Sequence, residues 1–353
     1  MSALKISVTK PKKYEIFIEN GLLPNCGKLI KSAVKGDSCL IVTDSNVAPL
    51  YLETVETALK NEGFKTATYI FEAGEESKNF STVEEILCAM CEAGLTRTDF
   101  AVALGGGVCG DLTGFASAIF QRGIDYVGIP TTLLSQIDSS VGGKTGCDLV
   151  YGKNLAGAFH APNAVIIDPG CLDTLPEKVY NDGLGEAIKY GVIKSAPLFE
   201  RLLNEDAHTF INELIIECVT IKRDITENDF FDNGERILLN FGHTIGHSIE
   251  KYYNYRDITH GEAIGIGMVI MAVAAERNGD CEDGTAEKIT ECLHKYKLPA
   301  TTGIDPERLC EGALGDKKRI GKDINLVIPQ KIGTCIVKRL STDLLLDYIG
   351  GAK

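Results

Sequence analysis

The stretch FAVALGGGVCGDLTGFASAIF, residues 100–120, decides how the chain is read. Phe100–Leu104 is short and wholly apolar, as in a strand buried on both faces of a sheet. Gly105, Gly106 and Gly107 follow, and from Asp111 the pattern turns helical. A strand that passes through glycines into a helix lets backbone amides approach an anion at the helix N-terminus. Gly105–Gly110 formally satisfies GxGxxG, although it lies far beyond the first βα unit, where that fingerprint usually stands. The expectation is a dinucleotide held in a variant arrangement, set against a tight turn that binds nothing.

Working outward, SCLIVTD (38–44), ATYIF (67–71), DYVGIPT (125–131) and AVIIDP (164–169) read as further short strands. VAPLYLETVETALKNEG (47–63) and TVEEILCAMCEAG (82–94) read as amphipathic helices between them. That alternation predicts an α/β fold with a mostly parallel, doubly wound sheet. After Thr174-Leu175-Pro176 long helical stretches dominate to about Leu298, and short strands return at INLVIP (324–329) and GTCIVKRL (333–340). Two domains are expected, 1–174 and 175–353, with a cleft between them.

Composition narrows the function. The formal net charge of −13 argues against nucleic acid as a partner. No run approaches the roughly 20 apolar residues of a membrane span, and the first residues lack the apolar core of a signal peptide. A cytoplasmic protein is expected. Of the 12 cysteines only Cys88 and Cys91 form a CxxC, with no second pair to complete a zinc site, so reduced thiols are expected.

RILLNFGHTIGHSIE (236–250) carries the chemistry. On one continuous helix, Arg236, Asn240, His243 and His247 share a face, and the other positions are largely apolar. A buried stripe of guanidinium, amide and imidazoles is costly unless paired, and a metal ion with an anionic, hydroxylated substrate would pair with it. Thr244 stands where HExxH has its glutamate, which disfavours a zincin protease. Glu186, His243 and His260 are a plausible zinc shell that leaves His247 for proton transfer. Spacing alone leaves the metal open.

Other segments are ambiguous singly. Asp44 and Asn46, in TDSN at a strand end, suit a ribose or a turn. GEESK (74–78) is a solvated loop unless Glu75 and Lys78 face the same cleft. Asp138 occupies the position where a P-loop needs glycine, which rejects a Walker A motif, yet Gly142-Gly143-Lys144-Thr145 can still bring a lysine to a phosphate. Lys153 and Asn154 add an ammonium and an amide, and Glu186 and Lys189 share a helical face.

Together GEESK, GGGVCGDLTGF, QRGIDYVGIPTTLLSQIDSSVGGKTG, GKNLAGAFHAP, GLGEAIKYG, RILLNFGHTIGHSIE and HGEAIGIGM resemble the 3-dehydroquinate synthase family, within the sugar-phosphate cyclases. The resemblance implies a Rossmann-like N-terminal domain and a mainly α-helical C-terminal domain. It implies NAD and a divalent metal, Zn2+ or Co2+, as cofactors. Glu186, His243 and His260 match the metal ligands. Asp44, Asn46, Glu75, Lys78, Gly106, Gly107, Val108, Gly110, Asp111, Thr131, Thr132, Lys144, Lys153, Cys171 and Thr174 match the NAD region. Asp138, Lys144, Lys153, Asn154, Lys189, Lys222, Arg236, Asn240 and His247 match residues around the substrate, with one of Lys317 and Lys318. Arg122 matches an arginine that reaches the neighbouring subunit's site, which implies a homodimer.

The implied reaction converts 3-deoxy-D-arabino-heptulosonate 7-phosphate to 3-dehydroquinate and phosphate. It proceeds by transient oxidation, β-elimination, reduction, ring opening and intramolecular aldol closure. Two departures stand out: Phe230 replaces an acid in TENDFFDNGER, and Asp148 stands where asparagine is common. The rival readings are a metal-dependent polyol dehydrogenase of the glycerol dehydrogenase type, another sugar-phosphate cyclase, and a non-catalytic NAD-binding regulator.

Overall fold

A computed structural model describes residues 3–9, 12–232, 234–314, 319–320 and 323–350. Lys317 and Lys318 lie outside the described residues. Contacts divide the chain into two units, one running to Leu175 and including Lys222–Phe231, the other Pro176–Ile221 with the chain from Asp232.

The first unit holds strands β1 (Leu4–Val8), β2 (Tyr14–Ile18), β3 (Ser38–Asp44), β4 (Lys65–Phe71), β5 (Phe100–Gly105), β6 (Asp125–Pro130), β7 (Lys144–Leu149), β8 (Gly152–Phe159) and β9 (Ala164–Ile167). Its helices are α1 (Cys26–Ala33), α2 (Glu53–Asn61), α3 (Phe80–Glu92) and α4 (Gly107–Ile119). Seven strands form one sheet in the order β1-β2-β9-β6-β5-β3-β4, parallel throughout except for the β1–β2 hairpin at one edge.

The alternation along β5 explains the layers. Phe100, Val102 and Leu104 pack with Ile30 of α1 and Val55 and Leu59 of α2 on one face. Ala101 and Ala103 pack with Val83 and Ile86 of α3 and Leu112 and Ala116 of α4 on the other. Each buried Val, Leu, Ile or Phe among them contributes about 1.5–3 kcal/mol of transfer free energy. The chain leaves β3 toward β4 at one edge and leaves β5 toward β6 on the other side. The divergence falls between the C-terminal ends of β3 and β5, where open α/β sheets take ligands.

Two pairings in this unit went unforeseen in the sequence. One is the β1–β2 hairpin. The other is the antiparallel β7–β8 hairpin, which carries the segments read as GGKTG and GKN loops.

The second unit contains α5 (Glu177–Lys194), α6 (Ala196–Asn204), the start of α7 (Ile211–Asn228), α8 (His243–Tyr252), α9 (His260–Arg277), α10 (Thr285–Lys295), α11 (Pro306–Leu314) and α12 (Leu345–Ile349). A small antiparallel sheet, β10 (Arg319–Ile320), β11 (Asp323–Lys331) and β12 (Thr334–Ser341), completes it. Helices α5, α8 and α9 approach very closely. A Cβ on Gly261 would lie 2.0 Å from the Asp182 carbonyl oxygen, and one on Gly267 2.1 Å from that of Gly242.

RILLNFGHTIGHSIE is not one helix. Glu235–Asn240 forms a tight 3-10 turn, Gly242 adopts φ 77°, and α8 begins at His243. The close approach of α9 to Gly242 explains the break. A side chain there would meet the Ile264 carbonyl oxygen at 2.6 Å, and the left-handed φ itself favours glycine.

Candidate active site

In the second unit, three ligand-type side chains converge from three helices. Glu186 lies in the buried middle of α5, while His243 and His260 are the first residues of α8 and α9. Nε2 of His243 is 3.2 Å and Nε2 of His260 3.3 Å from the same Glu186 Oε1. One ligand atom from each residue falls within 4.8 Å of the others. The opposite ring nitrogens have partners: His243 Nδ1 faces the Phe241 carbonyl oxygen at 3.0 Å, and His260 Nδ1 faces Glu250 Oε1 at 3.5 Å. The Nδ1 contacts orient both rings and turn both Nε2 atoms toward one spot beside Glu186 Oε1.

The electrostatics agree with that donor set. Burial raises the Glu186 pKa, but Lys189 and His243 outweigh it and hold the carboxyl well below its ordinary value. Lys189 Nζ stands 2.5 Å from Glu186 Oε2, both side chains being about 1% exposed. Burial lowers His243 to about 4, so its ring is neutral at physiological pH. His260 is held well above its ordinary value, because hydrogen bonds to Glu186 and Glu250 outweigh burial. A divalent cation would compete with that proton. One ionised carboxylate and two oriented imidazoles fit Zn2+ or Co2+ with positions to spare for oxygen ligands.

His247 lies one helical turn after His243, the two rings edge to face at 5.5 Å. Arg236 is buried and Asn240 donates to the Ile237 carbonyl oxygen at 3.2 Å, both in the 3-10 turn before α8. The N-terminus of α9 is tied down twice. Thr259 and Glu262 form a capping box, and Asp182 accepts from the Gly261 amide at 2.5 Å.

In the first unit, Asp44 ends β3 beside the Gly105–Gly107 turn that ends β5, with Asp44 Oδ2 3.3 Å from where a Gly105 Cβ would sit. Asp44 Oδ1 accepts from the Asn46 and Val47 amides at 2.9 and 3.0 Å, so its turn-forming role is real. Gly106 caps α4, and Thr131 and Thr132 follow β6, the next strand; Thr131 N–H donates to Gly105 O at 3.1 Å. A small cavity is lined here by Gly105, Gly106, Gly110, Asp111, Ser139 and Lys144. Val108 is half-buried in the first turn of α4. Cys171 and Thr174 lie on one turn, the backbone oxygen of the first and the hydroxyl of the second both meeting Tyr51 OH, at 3.1 and 2.5 Å. Burial pushes the Cys171 thiol up to about 12, so it stays protonated.

Lys78, Lys153 and Lys222 are each held by a carboxylate. Lys78, 6% exposed, has Nζ 2.6 Å from Asp111 Oδ2 and 2.8 Å from Asn154 Oδ1. Burial lowers its pKa, but Asp111 and Glu75 outweigh it and keep the ammonium above its ordinary value. Lys153 Nζ is 3.3 Å from Glu75 Oε1. Lys222 Nζ reaches Asp138 twice, at Oδ1 (3.0 Å) and at the backbone oxygen (2.6 Å). Arg122 is exposed on a turn where Gln121 and Arg122 both adopt positive φ, 47° and 69°.

Sequence reasoning missed Glu250 and Asp182, and marked Asp148 only as a departure from the family pattern. Glu250, 2% exposed, carried a signal: an acid closing an otherwise apolar helix three residues after a histidine. The other two act on backbone amides, which side-chain patterns do not mark.

Known proteins resemble this chain along nearly its whole length. Residues 68–182 match the family described as 3-dehydroquinate synthase N-terminal, and residues 183–319 its C-terminal counterpart. The 3-dehydroquinate synthase of Clostridium acetobutylicum is 44% identical over 341 residues, 95% of this chain and 96% of that protein. The one from Streptococcus pneumoniae strain JJA is 39% identical over 98% of this chain and 99% of that protein. Among solved structures, a 2-epi-5-epi-valiolone synthase from Streptomyces hygroscopicus subsp. jinggangensis, with NAD+ and Zn2+ bound, superposes with TM-score 0.87 at 26% identity, covering 99% of each chain. The α/β architecture with a helical second part is therefore that of the sugar-phosphate cyclases, and the chain belongs to the 3-dehydroquinate synthase family.

Proposed function

We propose that the chain converts 3-deoxy-D-arabino-heptulosonate 7-phosphate to 3-dehydroquinate and inorganic phosphate, as a phosphate-eliminating lyase that uses NAD and a divalent metal without consuming either. The observation that carries the reading is the convergence of Glu186 Oε1 with the Nε2 atoms of His243 and His260 at 3.2 and 3.3 Å, in a chain of this family. When bound, NAD takes up and returns a hydride at one substrate carbon while the cation polarises the oxygen there.

The chain's own residues supply the rest. Gly106 and Gly107 open the N-terminus of α4 to a pyrophosphate, and Asp44 and Asn46, at the C-terminal end of β3, would accept from a ribose. Lys144, Lys153, Asn154 and Lys222 bind the phosphate and hydroxyl oxygens, and Asp138 holds the Lys222 ammonium in place. In the half spanning 175–353, Arg236 offers a bidentate fork to a carboxylate. Lys189 keeps Glu186 ionised, and Asn240 orients the substrate hydroxyls. His247, half-buried on α8, moves the proton of the hydroxyl that is oxidised. We further propose a cytoplasmic homodimer in which Arg122 serves the neighbouring copy. No helix among the described residues is long and apolar enough to cross a membrane.

The test is phosphate release from the heptulosonate phosphate with NAD+ and Zn2+ or Co2+ supplied, while NADH absorbance is followed. Phosphate and 3-dehydroquinate in equal amounts without accumulating NADH are expected. Net NADH formation, or no phosphate, would overturn the reading.

A further inference from the structure

We propose that Asp148 is a positioning residue: its carboxylate holds Asn154 in the backbone conformation that aims the Asn154 carboxamide at Lys78. The proposal rests on the function proposed above, in which Lys153 and Asn154 bind substrate.

Strands β7 and β8 are joined through Val150 and Tyr151, and their ladder is interrupted by a bulge between Cys147 and Leu149. Asp148 sits in that bulge. Its Oδ1 accepts from the Asn154 N–H at 2.7 Å, six residues on and across the hairpin. An Asx turn closes only two or three residues ahead, so this contact is not a local turn bond. Asn154 has φ +54°, a left-handed conformation that costs a residue with a Cβ some energy, less for asparagine than for most. A side-chain oxygen accepting from the Asn154 amide is a local force against relaxation to extended backbone.

The contact closes a ring. The Asp148 N–H donates to the Lys78 carbonyl oxygen at 2.7 Å, and Lys78 Nζ donates to Asn154 Oδ1 at 2.8 Å. Lys78 is itself fixed by Asp111 at 2.6 Å, which anchors the ring in the buried part of the unit. Because successive side chains of a strand point to opposite sides, the backbone angle at Asn154 also sets where Lys153 points; its Nζ lies 3.3 Å from Glu75 Oε1. Without the Asp148 oxygen, Asn154 relaxes and its carboxamide leaves Lys78.

The experiment compares wild type, Asp148→Ala and Asp148→Asn in steady-state phosphate release, with melting temperature read alongside. Asp148→Ala is expected to raise the substrate KM about tenfold while kcat stays within about twofold. Asp148→Asn, whose carboxamide oxygen still accepts the amide, is expected to restore KM. If alanine does not fold, Asp148→Ser, whose oxygen stops short of Asn154, replaces it with the same two outcomes. An unchanged KM in the variant, or an asparagine variant as impaired as alanine, overturns the positioning role. Wild-type protein that releases no phosphate overturns the functional reading instead.

Discussion

Glu250 Oε1 stands 3.5 Å from Nδ1 of His260, on the side of the ring away from Glu186. The contact lies at the long end of hydrogen-bond range, but both groups are enclosed, the Glu250 side chain being 2% exposed. It orients the ring and makes Nε2 a better donor.

Glu250→Ala is therefore expected to weaken Zn2+ binding about 10- to 100-fold, with Glu250→Gln between it and wild type. Competition against a chromogenic chelator reads this without any turnover. Equal zinc affinity in wild type and the alanine variant would remove Glu250 from the metal's support.

Gly261 follows His260 and packs where a Cβ would lie 2.0 Å from the Asp182 carbonyl oxygen. That is backbone, so nothing can swing aside. Gly261→Ala should cost about 1–3 kcal/mol of stability by urea unfolding, and more if α5 and α9 are forced apart. Since Glu186 and His260 lie on those two helices, zinc affinity should fall with it. A variant of wild-type stability would show that the crossing has slack.

His160 supplies the pH prediction. Burial pulls its pKa below 6.5, with a smaller push the same way from Lys12, against the Ile124 carbonyl and Asp125, which raise it. Its Nε2 lies 2.9 Å from the Ile124 carbonyl oxygen and its ring stacks on Tyr126 at 5.4 Å. Below pH 6.5 the unfolded chain takes up a proton that the fold resists, so stability falls as pH drops from there toward the folded value. Melting temperature between pH 7.5 and 5 should fall less steeply, by roughly this one group's share, in His160→Gln. Identical slopes would mean the ring titrates normally in the fold.

The parallel sheet was legible because each central strand is a continuous apolar run, and the order of strands and helices fixes the winding. The candidate metal trio of Glu186, His243 and His260 was legible through the family resemblance, since spacing alone left the metal open. Less legible was the backbone between them. The periodicity of Arg236, Asn240 and His243 fits a helix, yet tertiary packing of α9 against Gly242 breaks it. Likewise β7 and β8 hold Gly, Lys and Asn residues that read as loop, and pair only because the chain folds back at Val150-Tyr151. The β1–β2 hairpin stands at a sheet edge, where strand patterning is weakest.

The assignment of Lys222–Phe231 to the first unit has a consequence for synthesis of the chain. That unit receives Lys222 for Asp138, Glu227 for Thr9, and Phe230 and Phe231 against Phe159 from a stretch made long after β9. While the ribosome is still translating α5 and α6, the nascent sheet exists without these partners. The second unit, for its part, has received only its opening helices by then. The first unit therefore cannot finish until part of the second has been made, and a gene cut at residue 175 would leave the first piece short of a segment that belongs to it.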